Sequence, residues 1–335
     1  KNMSIKVAIN GFGRIGRNIL RSIVESGRND IEVVAINDLG PVDTNAHLLQ
    51  FDSVHGRFPI DVGALDAAIN VGGKKIRVSM EQDPSRLEWS DVDVALECTG
   101  FFTDRDKAGM HLKNGSKRVL VSAPALGADK TIVYGVNHHS LTSDDLVVSN
   151  ASCTTNCLAP VAMVLHQAFG IKTGYMTTVH SYTGDQPSLD TMHKDLYRGR
   201  AASLSMIPTS TGAAKAVALV LPELEGKLDG SAIRVPTPNV SCIDLKFLTE
   251  KSVSVAEINA EMQKASKGKL KGVLGFESRS LVSIDFNHWP ASSTLAAQET
   301  KVLPSGMARI LSWYDNEWGF SNRMADTAVK IGSLI

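Results

Sequence analysis

The chain has 335 residues, enough for roughly two domains of about 150 residues each. Its hydrophobic and charged fractions, 43% and 21%, are those of a folded globular chain and exclude disorder. Thirty-five basic residues balance thirty-five acidic ones, so no net charge draws the chain to nucleic acid or to an anionic membrane as its main partner.

In chain order, the first half alternates strand and helix signals. Residues 5–9 are a short apolar run closed by Asn10 and Gly11, as a buried strand requires. Ile15, Ile19, Leu20, Ile23 and Val24 then mark one face of a helix over 14–25, which Gly27 stops. Further strands are expected at 31–36, 92–96, 118–121 and 146–149. Strands separated by helices imply right-handed crossovers and a mostly parallel sheet covered on both faces. The stretch 154–171 is broken by Thr155, Asn156, Pro160, His166 and Gln167 and is no membrane span. In the second half, 174–180, 233–235, 242–248, 281–285 and 309–314 alternate or are β-branched, suggesting longer strands of a partly antiparallel sheet with a helix at 255–266 on it. Between them, 181–206 is a long polar segment, a length that is usually functional inside a compact domain. Residues 321–335 return to helical spacing.

The start lacks the basic end and apolar core of an export signal. Four cysteines, Cys98, Cys153, Cys157 and Cys242, make no disulfide framework in a chain of this length, and the expected location is a reducing cytoplasm. Cys153 and Cys157 have no second pair at zinc spacing, so no metal is expected.

Gly11-Phe12-Gly13-Arg14-Ile15-Gly16 follows a strand and opens a helix, the setting of a dinucleotide fingerprint. Gly11 permits the tight turn, Gly13 lets the backbone approach a pyrophosphate, and Gly16 lets helix and strand sit close. The helix N-terminus offers its unpaired N–H groups to the phosphates. The second strand ends at Asp38, where an acid can bind the ribose hydroxyls and repel a 2′-phosphate, favouring NAD over NADP.

Cys153 stands where a strand gives way to a helical pattern, and a helix N-terminus favours the thiolate. Buried packing is the commoner fate of a free cysteine, and it is the reading for Cys98, Cys157 and Cys242. His180, at a strand end, is placed to act as base toward Cys153, and its protonated form to hold the thiolate as an ion pair. Arg198, Arg200 and Arg234, with Thr209, Ser210, Thr211 and Gly212 ahead of a helix at 213–221, form an anion-binding pattern.

The segments INGFGRIGRN (9–18), AINDL (35–39), FDSVHG (51–56), SNASCTTNCLAP (149–160), TSTGAAKAV (209–217), RVPTPNVS (234–241) and SWYDNEWGFSNRM (312–324) occur in order along the chain. It resembles, over essentially its whole length, the NAD-dependent phosphorylating glyceraldehyde-3-phosphate dehydrogenases of bacterial type. The resemblance implies an α/β fold: a doubly wound Rossmann domain over 1–152, with the C-terminal helix 320–335 packing back on it. The catalytic domain over 153–319 would be α+β with a mostly antiparallel sheet, and would include an S-loop at 181–206 that lies near a neighbouring subunit of a homotetramer. It implies a nucleophile at Cys153 and a base at His180. Ser152, Thr154, Thr211 and Gly212 match positions that bind substrate or inorganic phosphate, and Thr183, Arg198 and Arg234 match contacts to the substrate's phosphates. Arg14, Ile15, Asp38, Ser122 and Asn316 match NAD contacts, Asn316 at the nicotinamide carboxamide. Gly184, Gln82 and Met192 depart from the commoner family pattern, and no adenine-side contact is carried onto Gln82.

The implied reaction is oxidation of glyceraldehyde 3-phosphate to 1,3-bisphosphoglycerate through a thiohemiacetal and a thioester on Cys153. The rival within the fold is erythrose-4-phosphate dehydrogenase, which hydrolyses its thioester; Thr211-Gly212 argues against it. A non-redox Cys/His hydrolase or acyltransferase leaves the glycine fingerprint and Asp38 unexplained. A purely NAD-binding protein leaves Cys153 and His180 unexplained.

Overall fold

The computed structural model describes residues 4–335 and divides the chain into two units; residues 1–3 of the expected first domain lie outside the described residues. Of the described residues the first unit holds 4–134, 138–151 and 321–335; the second holds 135–137 and 152–320.

In the first unit the chain runs β1 (Ile5–Asn10), α1 (Arg14–Glu25), β2 (Ile31–Asn37), α2 (Val42–Gln50), the two-residue strands β3 (Phe51–Asp52) and β4 (Gly56–Arg57), β5 (Val62–Leu65), β6 (Ala68–Val71) and β7 (Lys74–Ser79). It continues through β8 (Val94–Glu97), α3 (Arg105–Ala108), α4 (Met110–Lys113), β9 (Arg118–Val121), β10 (Lys130–Thr131) and β11 (Val147–Ser149). The nine-stranded sheet has the order β10-β11-β9-β8-β1-β2-β7-β6-β5. β1 is central and parallel to β2 and β8, and its Val7, Ala8 and Ile9 are wholly buried, as expected of a strand covered on both faces. Strand order reverses at β1, so a crevice opens at the carboxyl ends of β1 and its neighbours, the place where such sheets bind ligands.

One edge differs from the sequence reading. β5, β6 and β7 form an antiparallel meander, in which Gly72 and Gly73, both at positive φ, close the β6–β7 hairpin. That is the two-residue turn whose twist suits a hairpin and which glycine adopts without strain.

The second unit follows with α5 (Cys153–Phe169), β12 (Ile171–Ser181), β13 (Ile207–Thr209), α6 (Ala213–Ala216), β14 (Leu228–Val235), β15 (Ser241–Thr249), α7 (Val255–Lys267), β16 (Leu274–Glu277), β17 (Ser293–Ala296), β18 (Lys301–Val302), β19 (Ala308–Tyr314) and α8 (Trp318–Gly332). The eight-stranded sheet runs β13-β14-β12-β15-β19-β17-β16, with β18 beside β19. Most of its pairings are antiparallel; β12–β14 and β16–β17 are parallel. The overall class is therefore the expected one: a Rossmann-type domain and an α+β domain with a mostly antiparallel sheet.

Two expected elements are corrected. Residues 281–285 form no strand: Ser283–Phe286 is a 3₁₀ turn, with Val282 and Ile284 exposed and the Asp285 carboxylate accepting from the Val282 N–H. The apolar alternation had no partner strand to pack on. The helix expected over 213–221 is α6 followed by a 3₁₀ turn at Val217–Leu219. From Ser321 onward α8 belongs to the first unit, burying Met324, Ala325, Ala328 and Ile331 and pairing Asp326 with Arg28 at 2.5 Å.

Candidate active site

In the first unit the glycine loop has the shape its residue types suggest. Gly11 lies at φ +90, and a Cβ there would come 2.7 Å from the Thr99 nitrogen. A Cβ on Gly16 would meet the Gly11 carbonyl oxygen at 2.2 Å, whereas one on Gly13 would meet open space. Gly11 and Gly16 thus serve close approach within the protein, and Gly13 faces room for a ligand. Beside them lies a cavity of about 370 Å³ lined by residues that include Asn10, Gly13, Asp38, Leu39, Thr99 and Phe102.

The Asp38 carboxylate accepts from the N–H groups of Phe12 and Gly40, each at 2.8 Å, and from Asn45 Nδ2 at 3.3 Å, so it also ties the glycine loop to the end of β2. Arg14 opens α1 and makes a two-pronged pair with Asp52, at 2.5 and 3.2 Å. Asp52 is thereby held at about 2, although burial alone would raise it. Ile15 is half-buried in the same first turn. Ser122 follows β9, its N–H donating to the Glu97 carbonyl at 2.9 Å. Cys98, read from sequence as packing, and Gln82 both line the cavity, as does Glu81.

The second unit gathers the reactive side chains. Ser152 caps α5: its hydroxyl accepts from the Thr155 N–H at 3.0 Å, which leaves Cys153 as the first helical residue. Ala151, immediately before the cap, sits at φ +57, a turn an alanine adopts only under strain. His180 comes from β12, and its Nε2 lies 3.6 Å from Cys153 Sγ. Its Nδ1 is 2.7 Å from the Ser181 carbonyl, and Nε2 is the ring nitrogen that faces the sulfur.

Arg234 is paired in register with His180 on the adjacent strand β14. Its Nη1 lies 3.0 Å from His180 Nδ1 and donates to the Ser181 carbonyl at 2.9 Å and to Thr183 Oγ1 at 3.2 Å. Thr183 in turn donates to Asp185, and Arg198 donates to Asp185 at 3.1 Å and to Thr209 Oγ1 at 3.0 Å. Asp185, two residues after Thr183, was not singled out from sequence; only an acid at that spacing signalled it. Among the described residues Arg234 Nε is buried without a hydrogen-bond partner, which suits it to an anion. Thr211 Oγ1 accepts from the Ala213 N–H at 3.2 Å, and Gly212 precedes α6. Arg200, by contrast, is exposed and paired with Asp190, away from this constellation of arginines.

Asn316 is buried, its Oδ1 accepting from Ser181 Oγ at 2.9 Å and Ser241 Oγ at 2.8 Å, so its amide orientation is set by two serines. Thr154 Oγ1 is 2.8 Å from the hydroxyl of Tyr314, which is 2.9 Å from Thr178 Oγ1. Tyr314 also stands edge-on to the His180 ring, with centroids 5.8 Å apart. Sequence reading missed this tyrosine because an aromatic residue in a strand carries no sign of what its hydroxyl meets.

The electrostatics run against the expected thiolate–imidazolium pair. Burial pushes the Cys153 thiol above its ordinary value, outweighing Arg234 and the hydrogen bonds from Thr154. Burial, then the neighbouring Arg234, push His180 down to about 3. Both shifts disfavour the charged forms, so desolvation opposes the helix N-terminus here.

Two family models match the chain: the glyceraldehyde 3-phosphate dehydrogenase NAD binding domain over 5–105 and the C-terminal domain of the same family over 152–316. Among its relatives, glyceraldehyde-3-phosphate dehydrogenase of Cereibacter sphaeroides is 69% identical over 99% of this chain and all of its own length. The Xanthobacter flavus protein of that name is 67% identical over the same shares, and that of Geobacillus stearothermophilus 54% identical over 99% of both chains. Glycine loop, cavity and domain match agree on NAD as the cofactor, and the chain belongs to the glyceraldehyde-3-phosphate dehydrogenase family of NAD-dependent oxidoreductases.

Proposed function

We propose that the protein oxidises glyceraldehyde 3-phosphate in the presence of inorganic phosphate to give 1,3-bisphosphoglycerate, with Cys153 as nucleophile and His180 as base. The observation that carries this reading is the 3.6 Å approach of His180 Nε2 to Cys153 Sγ. His180 takes the thiol proton as the sulfur adds to the aldehyde carbon, and Arg234 favours the thiolate so formed. The Cys153 N–H, at the start of α5, is placed to donate to the developing oxyanion. His180 hands that proton to the oxyanion, giving the thiohemiacetal hydroxyl, and takes it back as the hydride leaves, its second task.

Gly11, Gly13, Arg14, Ile15, Gly16, Asp38, Ser122 and Asn316 would hold NAD, which when bound supplies the hydride acceptor. The acyl group is left as a thioester on Cys153, reactive enough for phosphate to displace it. Thr183, Arg198 and Arg234 would bind the substrate's phosphate, and Ser152, Thr154, Thr211 and Gly212 the attacking inorganic phosphate. Arg198 and Arg234 bring charge to this group, and the buried Nε of Arg234 supplies a donor in need of an acceptor.

The working form is read as a cytoplasmic homotetramer. Among the described residues no helix is long and apolar enough to cross a membrane. Leu189, Met192, Leu196, Tyr197, Leu204 and Met206 of the 181–206 segment are all more than half exposed, an apolar surface of the kind that copies of a chain cover. The deciding assay follows NADH formation from glyceraldehyde 3-phosphate with and without inorganic phosphate, and repeats it with erythrose 4-phosphate and with NADP. Strict phosphate dependence and preference for NAD are expected; turnover indifferent to phosphate would point to thioester hydrolysis instead.

A further inference from the structure

A buried polar chain runs beneath the cavity of the first unit. Glu97, Asn10, Asn37 and Ser79 occupy the last paired positions of the adjacent strands β8, β1, β2 and β7. Glu97 is 1% exposed and His111 0%, yet the carboxylate is fully satisfied. Its Oε2 accepts from Asn10 Nδ2 at 2.6 Å and faces His111 Nε2 at 2.9 Å; its Oε1 accepts from the Thr99 N–H at 2.9 Å and the Thr99 hydroxyl at 2.5 Å.

His111 Nδ1 takes a hydrogen bond from Asn114 Nδ2 at 3.3 Å, so the ring proton sits on Nε2 and is donated to Glu97. The ring lies flat against Trp89, with centroids 5.4 Å apart. Asn10 Oδ1 accepts from Asn37 Nδ2 at 2.7 Å, and Asn37 is locked by the Glu81 carbonyl, the Glu81 N–H and Ser79. Asn10, Asn37, Glu81 and Thr99 all line the cavity.

We infer that Glu97 and His111 are positioning residues for the adenosine half of NAD: they touch no ligand, but through Asn10, Asn37 and Thr99 they set the floor on which it rests. The inference builds on the assignment of this cavity to the cofactor. The donor–acceptor sense of the chain has one consistent solution. A glutamine at position 97 could still accept from Thr99, but its NH₂ would then face two donors, Asn10 Nδ2 and His111 Nε2. Turning Asn10 over would only pass the mismatch to Asn37, which Glu81 and Ser79 hold in place. A misfit of this kind in a buried network displaces its members, and here those members are the cavity wall.

The test measures, in the full-length protein, the dissociation constants of NAD and of ADP-ribose, which keeps the adenosine half and lacks nicotinamide, together with kcat and KM for NAD. Glu97→Gln and His111→Leu are expected to raise both dissociation constants and KM roughly tenfold, with kcat at saturating NAD unchanged. His111→Gln, whose amide can still donate to Glu97, should bind like the parent. Should Glu97→Gln fail to fold, the contrast between the two His111 variants decides. Unchanged ADP-ribose affinity, a loss in kcat alone, or His111→Gln as weak as His111→Leu overturns the inference. Asp38→Ala separates the two levels: if it too leaves ADP-ribose binding untouched, the cavity assignment itself fails; if it weakens binding while the Glu97 and His111 variants do not, only the positioning role is lost.

Discussion

Cys153 and His180 lie close enough for one proton to pass between them, and burial disfavours the charged form of each. Cys153→Ser should therefore cut turnover on the order of 10⁴-fold while leaving the NAD dissociation constant near the parent's, since the cavity belongs to the other unit. His180→Asn should slow aldehyde oxidation about 10²–10⁴-fold and also slow alkylation of Cys153 by iodoacetamide at neutral pH. Normal oxidation in either variant would contradict the assignment. The depressed His180 also has a stability consequence. Between pH 6.5 and about 3 the unfolded chain takes up a proton at this residue that the folded one refuses, so folding loses stability as pH falls through that window. Chemical unfolding at a series of pH values should show a shallower acid loss in His180→Asn than in the parent.

Two of the longer helices open on a serine cap. Ser152 opens α5 and Ser254 opens α7; the latter forms a full capping box, its hydroxyl accepting from the Glu257 N–H at 3.2 Å and the Glu257 carboxylate accepting from the Ser254 N–H at 2.9 Å. Ser254→Ala should cost about 1 kcal/mol of stability with kinetic constants unchanged. Ser152→Ala should cost stability and raise the KM for inorganic phosphate as well; a rise in neither would remove Ser152 from the phosphate site. Elements were legible where pattern and burial agreed. The helix read over 14–25 is α1, and the periodic 255–266 lies within α7. The meander β5–β7 was overlooked although Gly72-Gly73 between β-type runs is a hairpin signal. The apolar alternation at 281–285 misled because alternation records a sequence pattern, not the presence of a neighbouring strand.

For the whole molecule, the exposed apolar residues of the 181–206 segment matter most. Replacing Leu196 and Leu204 together with Asp should break the proposed tetramer into smaller species, read by sedimentation velocity, whereas the parent should sediment as four chains. A parent that sediments as a single chain would reject the tetramer outright. The two units also divide the labour. The first holds the glycine loop, Asp38 and the cavity; the second holds the thiol, the imidazole and the arginines.

What the sequence by itself determined was the set of local devices whose physics is written in neighbouring residues: the glycine loop between strand and helix, the acid ending β2, the switch from strand to helix at Cys153, and the family to which these belong. Only the tertiary structure decided which distant groups meet. Cys153 and His180 are separated by a whole helix and a strand, and Arg234 reaches them only because β12 and β14 pair in parallel. Likewise Glu97 and His111 show no pattern in the chain, because their partnership exists only where the ends of four strands are stacked side by side and water is excluded. Charge states followed the same rule, since desolvation depends on everything packed around a group and on little that lies next to it in sequence.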